Sequence, residues 1–215
     1  MAKHRLKDPF SAISHYVGAT LAVIGLVYLL FLAWRHSLGM VVFTVYGLCL
    51  TWLYVASSVY HSVNSRGKWL QRLDHMAIYL VIAGTYTPLC LLAVRGTTGY
   101  AMLAAEWTMA LIGILANVLF GGGPKWLRLV LYLAMGWLIV IDIPGFLQVL
   151  PTSALWWMLA GGLAYTGGTI IYATNRPKLW PGIFGAHDLW HLFVLGGSAC
   201  HYVLMLTTAH VALAP

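Results

Sequence analysis

The sequence predicts an all-α, polytopic membrane protein: a bundle of seven transmembrane helices with its N-terminus in the cytoplasm and its C-terminus outside. Three observations carry that expectation. The 215 residues are 61% hydrophobic and only 8% charged, with a mean hydropathy of +0.83, whereas soluble domains run at about 45–50% apolar and about 25% charged. Seven stretches reach the roughly 20 apolar residues that cross a bilayer. The basic residues fall almost wholly on one side of those stretches. Twelve basic and five acidic side chains cannot clothe a soluble globule of this size. A soluble enzyme, a disordered tail and a nucleic-acid-binding domain are therefore excluded, despite the basic balance.

The spans read as 13–33, 39–61, 75–94, 98–120, 126–146, 154–174 and 185–208. They use most of the chain, so residues 1–215 read as a single membrane domain. The first span follows Met1 to Phe10, a basic start that resembles a secretory leader. Its apolar run is too long and lacks a small-x-small cleavage site, so it reads as a retained helix. The second ends in Ser57-Ser58-Val59-Tyr60-His61. Pro88 in the third and Pro144 in the fifth are expected to kink or end their helices. The fourth carries Glu106, open to three readings, a buried neutral acid, one side of a helix–helix hydrogen bond or part of a proton path, of which the hydrogen bond is favoured. The sixth and seventh concentrate small residues, Gly161, Gly162, Gly167 and Gly168, then Gly196, Gly197 and Ser198, which points to close helix packing. No repeat of 20–50 residues links the spans. Cys49, Cys90 and Cys200 lie in apolar runs and read as buried hydrophobes, not as a disulfide framework.

Seven spans put Lys3, Arg5, Lys7, Arg66, Lys68, Arg72, Lys125, Arg128, Arg176 and Lys178 on one side, and only Arg35 and Arg95 on the other. Cationic loops stay in the cytoplasm, so this split supports both the helix count and the inside N-terminus. It places the protein in a cell membrane as a multi-pass chain. An inside N-terminus also conflicts with a conventional G-protein-coupled receptor, so no heterotrimeric G protein is expected as partner.

Ionisable groups within a bilayer are costly and usually functional. His61 closes the second span on the cytoplasmic side, with Ser57 one turn deeper on the same face. Asp74 and His75 sit at the start of the third span, and His187 and His191 at the start of the seventh. His187 and His191 are spaced i, i+4, so both imidazoles can reach a single ion. Three histidines around Zn²⁺ leave a fourth position open, as in catalytic sites, and Asp74 is placed to hold the water or a ligand nitrogen. Interfacial histidines bonded to backbone or water are the competing reading. His201 lies ~15 Å further along its helix, too far for the same ion, and reads as a core histidine. His15 either borders the site or packs. His75 points about 100° away from Asp74, so the two do not share an ion. Asp142 reads as interfacial. His4, His36 and His210 have no assigned role.

Taken together, these blocks resemble the hemolysin III group of bacterial membrane proteins, within the progestin and adipoQ receptor family. The resemblance rests on Ser57-Ser58-Val59-Tyr60-His61-Ser62, on Leu73-Asp74-His75-Met76-Ala77-Ile78-Tyr79 running to Gly84-Thr85-Tyr86-Thr87-Pro88, and on His187-Asp188-Leu189-Trp190-His191 running to His201. Ile13-Ser14-His15 and Tyr132 to Trp137 look like further family positions. The resemblance implies a seven-helix fold with the N-terminus inside and Zn²⁺ held by His61, His187 and His191. It gives Asp74 the water, makes Ser57 the family serine, and suggests the bacterial inner membrane. The related adiponectin receptors and alkaline ceramidases share the constellation, and those enzymes hydrolyse lipid amides. The eukaryotic receptors carry a larger cytoplasmic N-terminal region, which this short tail does not match, so a hormone-receptor role is not expected.

The functional expectation is a zinc-dependent hydrolase of lipid amides or esters. Asp74 and Ser57 are its catalytic candidates, Ser57 as a donor to the developing oxyanion, and a membrane lipid is the partner. A regulator of membrane lipid homeostasis and energetics is the first alternative. A pore-forming cytolysin is the second, and it has little support because the ionisable residues form no stripe through the membrane.

Overall fold

The computed structural model describes residues 6–64, 67–121, 123–180 and 184–213. Among these it contains helices and short connections, with no strand beyond an isolated bridge between Trp180 and Phe184. The α-helices are α1 (Pro9–Ala33), α2 (Ser37–Ser62), α3 (Trp69–Pro88), α4 (Gly96–Phe120), α5 (Lys125–Gly136), α6 (Ile143–Val149), α7 (Thr152–Thr174) and α8 (Ala186–Ala212). Seven stretches are long and apolar enough to cross a membrane: α1, α2, α3 with its extension to Val94, α4, the segment Lys125–Val149 that contains α5 and α6, α7, and α8.

Two helices begin earlier than their hydropathy suggests, and both shifts bear on function. Pro9 stands in the first turn of α1, where its missing N–H has no bond to lose. The helix therefore takes in residues that read as tail and places Asp8 at its N-cap. The polar turn Gln71-Arg72-Leu73-Asp74 hides the start of α3 at Trp69, so Asp74 and His75 lie inside the helix, not at its entry.

The two prolines behave differently. Pro88 is the last residue of α3, and the chain continues as a π-helical turn, Leu89–Val94, closed by Arg95 N–H donating to the Cys90 carbonyl at 3.0 Å. Pro144 interrupts the fifth span as expected. The helix ends after Gly136 and passes through a 3₁₀ turn, Leu138–Asp142, into α6, because proline has no N–H to give the carbonyl four residues back, at Val140, and its ring crowds that carbonyl. Pro144 sits in the first turn of α6, and Asp142 is its N-cap, accepting Gly145 N–H at 3.2 Å. Proline favours that position, so the residue that breaks the span also starts α6.

The helices pack in a ring. α1 lies against α2 and α8, α2 against α3, α3 against α5, α5 against α7, and α7 against α8, with α4 outside against α3 and α5. The surface is apolar: Phe31, Leu119 and Phe120 are 69%, 68% and 79% exposed, as a surface facing lipid requires. Ser57, His61 and His191 are buried among the largely apolar side chains of the interior. The small residues of α7 and α8 admit rings rather than backbones: Gly161 faces His201, Gly168 faces Phe193 and Trp190, and Gly197 faces Tyr165, while Gly196 has no neighbour within 4 Å. Alternation of the spans brings Lys7, Lys68, Arg72, Lys125, Arg128, Arg176 and Lys178 to one end of the bundle and Arg35 and Arg95 to the other. Lys125 Nζ donating to the Tyr172 carbonyl at 2.6 Å ties two chain segments at the first end. Lys3, Arg5 and Arg66 lie outside the described residues.

One packing contact gives a paired test. A Cβ on Gly99 would stand 2.6 Å from the Cys90 carbonyl oxygen, an atom fixed in the π turn. Gly99→Ala is expected to destabilise the protein by about 1–3 kcal/mol. Gly196→Ala, in open space, should be neutral or stabilising by about 0.5–1 kcal/mol. Thermal midpoints of the two variants in one detergent check the pair.

Candidate metal centre

The end of α2 and the start of α8 meet at the basic end of the ring. His61 lies in the last turn of α2, and His187 and His191 occupy the first two turns of α8. Their i, i+4 spacing turns both rings to one side of the helix. Asp188 steadies this helix entry, since its carboxylate accepts Gly185 N–H at 2.9 Å and the Ser11 hydroxyl of α1 at 2.8 Å. An acidic side chain in a first helical turn is favourable to the helix dipole.

The three imidazoles converge. His187 Nε2 lies 3.3 Å from His61 Nε2 and 3.2 Å from His191 Nε2, and one ligand atom from each residue falls within 4.8 Å of the others. His61 and His191 are 1% and 2% exposed. The outer nitrogens are held in turn: Asp8 Oδ2 is 2.8 Å from His61 Nδ1, and His15 Nε2 is 2.9 Å from His191 Nδ1.

These contacts dictate where hydrogens sit. A carboxylate only accepts, and a neutral imidazole has one N–H. With Asp8 taking the hydrogen on Nδ1, His61 presents a bare lone pair at Nε2. With the His191 hydrogen likewise on Nδ1 against His15, a single His187 N–H stands between two bare nitrogens and can serve them only as one shared, weaker bond, and without that hydrogen three lone pairs face one another. A cation between the three nitrogens satisfies all of them at once. Tetrahedral zinc, with Zn–N bonds of about 2.0–2.1 Å, spaces its ligand nitrogens about 3.3 Å apart, which the His61–His187 and His187–His191 separations match. His61, His187 and His191 therefore fit a metal ion.

Asp74 stands outside this group, lining the cavity beside Ser57 and near enough to His61 to interact with it electrostatically. Ser57, Asp74, His187 and His191 line one end of a cavity of about 240 Å³ that continues between the helices to Thr85, Ile143 and His201. The structure thus gathers all the site residues that the sequence singles out into one region, with the serine and aspartate beside the histidines and not among them.

The remaining polar residues sort as follows. His75 lines the cavity wall outside the metal group, and its carbonyl accepts the Tyr132 hydroxyl at 2.8 Å. His201 lies at the far end of the cavity, its ring facing that of Tyr165 with centroids 5.4 Å apart. His36 precedes α2, and His210 bonds the Leu206 carbonyl at 2.7 Å; His4 lies outside the described residues. Glu106 overturns its expectation. It is fully buried, but neither carboxyl oxygen has a hydrogen-bond partner among the described residues. The facing stretch of α3 and the π turn offers Tyr86 and Cys90, and the Tyr86 hydroxyl is already engaged by Gly136 and Ile139.

Asp8 and Ser11 have no role in the sequence reading, and His15 is left there between site and packing. The spacing of 8, 11 and 15 on one helical face is the signal that could have found them. It was hidden because hydropathy alone starts the helix at 13.

The chain is similar to known proteins over most of its length. The family model described as "Haemolysin-III related" matches residues 3–202. The chain is 38% identical over 200 residues to "Hemolysin-3" of Bacillus cereus, covering 91% of this chain and 89% of that protein. It is 36% identical over 200 residues to "Hemolysin-3 homolog" of Bacillus subtilis (strain 168), covering 91% of each. A more distant match, 30% over 166 residues, is "Monocyte to macrophage differentiation factor" of Homo sapiens, covering 74% of this chain and 66% of that protein.

The unpartnered carboxyl gives a test independent of any metal. Replacing Glu106 by an apolar side chain of similar length removes a buried polar group that returns no hydrogen bond. Glu106→Met is expected to raise stability by ~1–3 kcal/mol, visible as a higher thermal midpoint.

Proposed function

We propose that this chain, which belongs to the haemolysin-III-related family of multi-pass membrane proteins, is a zinc-dependent hydrolase of lipid amides or esters. It would work at the cytoplasmic face of the bacterial inner membrane. The observation that carries the reading is the convergence of three histidine nitrogens at the polar mouth of a long, largely apolar cavity, with Asp74 and Ser57 beside them. The collection of basic residues at that same end supports a cytoplasmic orientation.

His61, His187 and His191 would hold the ion, which when bound supplies Lewis acidity and lowers the pKa of water towards neutrality. The cavity takes the acyl chain between the helices and sets its carbonyl near the mouth. Asp74 accepts a proton from the attacking water as oxygen adds to the carbonyl carbon. It then returns that proton to the nitrogen or oxygen that leaves as the carbon–heteroatom bond breaks, yielding a fatty acid and an amine or alcohol. Ser57 is expected from the sequence to serve the oxyanion; it lines the same end of the cavity as Asp74 and in this reading also steadies the base. A second reading has support in one observation: the ligands join α2 to α8, two spans distant in sequence. The metal would then hold the bundle and its lipid in a regulator of membrane homeostasis without turnover.

The test is hydrolysis of a broad panel of lipid amides and esters by zinc-loaded protein, read by mass spectrometry. Wild type should release fatty acid. Asp74→Asn should lose about 10²–10⁴-fold in rate while keeping its metal, and Ser57→Ala should lose less. A metal-loaded protein that cleaves no member of the panel leaves the regulatory reading and removes the catalytic one.

A further inference from the structure

The metal ligands come from α2 and α8, but the groups that hold them in place come from α1. Asp8 grips His61 twice: its Oδ2 lies 2.8 Å from His61 Nδ1, and its backbone N–H donates to the His61 carbonyl at 2.9 Å. Two turns along the same face, His15 Nε2 lies 2.9 Å from His191 Nδ1. Between them Ser11 bonds Asp188, next to His187.

We propose that Asp8 and His15 are positioning residues of the metal centre, fixing the tautomer and aim of His61 and His191, so that the centre is built on three spans and not two. The inference rests on the metal reading above.

His15 supplies the stronger argument. It is 3% exposed, and its Nδ1 has no partner among the described residues. An imidazole used only for packing would leave both nitrogens to be satisfied, and an apolar side chain would fill the space without that cost. The ring makes one polar contact, with His191. For His191 to offer Nε2 to an ion, its hydrogen must lie on Nδ1, and His15 Nε2 is the acceptor that keeps it there. Asp8 does the same for His61, and a carboxylate or carbonyl behind a ligand imidazole is the usual means of orienting it.

The test uses the purified full-length chain stripped of metal, with Co²⁺ as the probe. The dissociation constant is measured by competition with a chelator, and the ligand-field bands by absorption. Asp8→Ala and His15→Leu should each weaken binding by about 10–100-fold and shift the bands. Asp8→Asn and His15→Gln keep an acceptor oxygen and should recover most of the loss. Wild-type affinity and bands in folded Asp8→Ala and His15→Leu would overturn the proposal, as would conservative variants no better than the truncations. If the truncations do not fold, hydrogen exchange on wild type decides. Chelation should speed exchange in residues 8–15, and an unchanged rate there contradicts the assignment. A wild-type protein that binds no Co²⁺ overturns the metal reading itself and takes this inference with it.

Discussion

Three imidazole nitrogens face one another at 3.2–3.3 Å along the His61–His187–His191 contacts, with His61 and His191 almost wholly buried. Once Asp8 has fixed the hydrogen on His61, hydrogen bonds serve these nitrogens only through a single shared His187 N–H. A buried polar group without a partner costs free energy, and a membrane interior offers no solvent to make up the difference. The end of α2, the entry of α8 and the first turns of α1 meet where they do because each brings a group this cluster needs.

The chemistry of the cavity follows from that meeting point. α2 supplies one of the three histidines and, one turn deeper, Ser57 beside Asp74 of α3. α8 supplies the other two and then runs on along the cavity to His201. In the proposed reading an apolar substrate lying in the cavity has its polar end beside the histidines and Asp74 for purely geometric reasons. The periphery is different: α4 lies outside the ring, and Glu106 and Asn117 on its buried face have no hydrogen-bond partners among the described residues. Neither belongs to the site. They mark a helix whose packing carries a cost that the metal centre does not share.

Much of this was legible in the sequence because a bilayer simplifies the reading. Length and apolarity count the spans, and alternation then fixes which ends lie together, so His61, Asp74, His187 and His191 could be placed at one level before any contact was known. Hydropathy is blind to helix that continues into polar sequence. That blindness moved Asp74 to a helix entry and left Asp8 in a tail, and so hid the α1 contribution. The two prolines were legible, because a proline disrupts the helical turn before it and suits the first turn of the helix it starts. The partnering of Glu106 was beyond sequence altogether, since it depends on what α3 happens to turn towards it.

Metal content of the purified protein tests the central claim most directly, by elemental analysis of wild type beside the His187→Ala/His191→Ala double variant. The account predicts about one zinc per wild-type chain and none in the double variant. A well-folded wild-type protein that carries no metal, and takes up none when offered zinc, would contradict it.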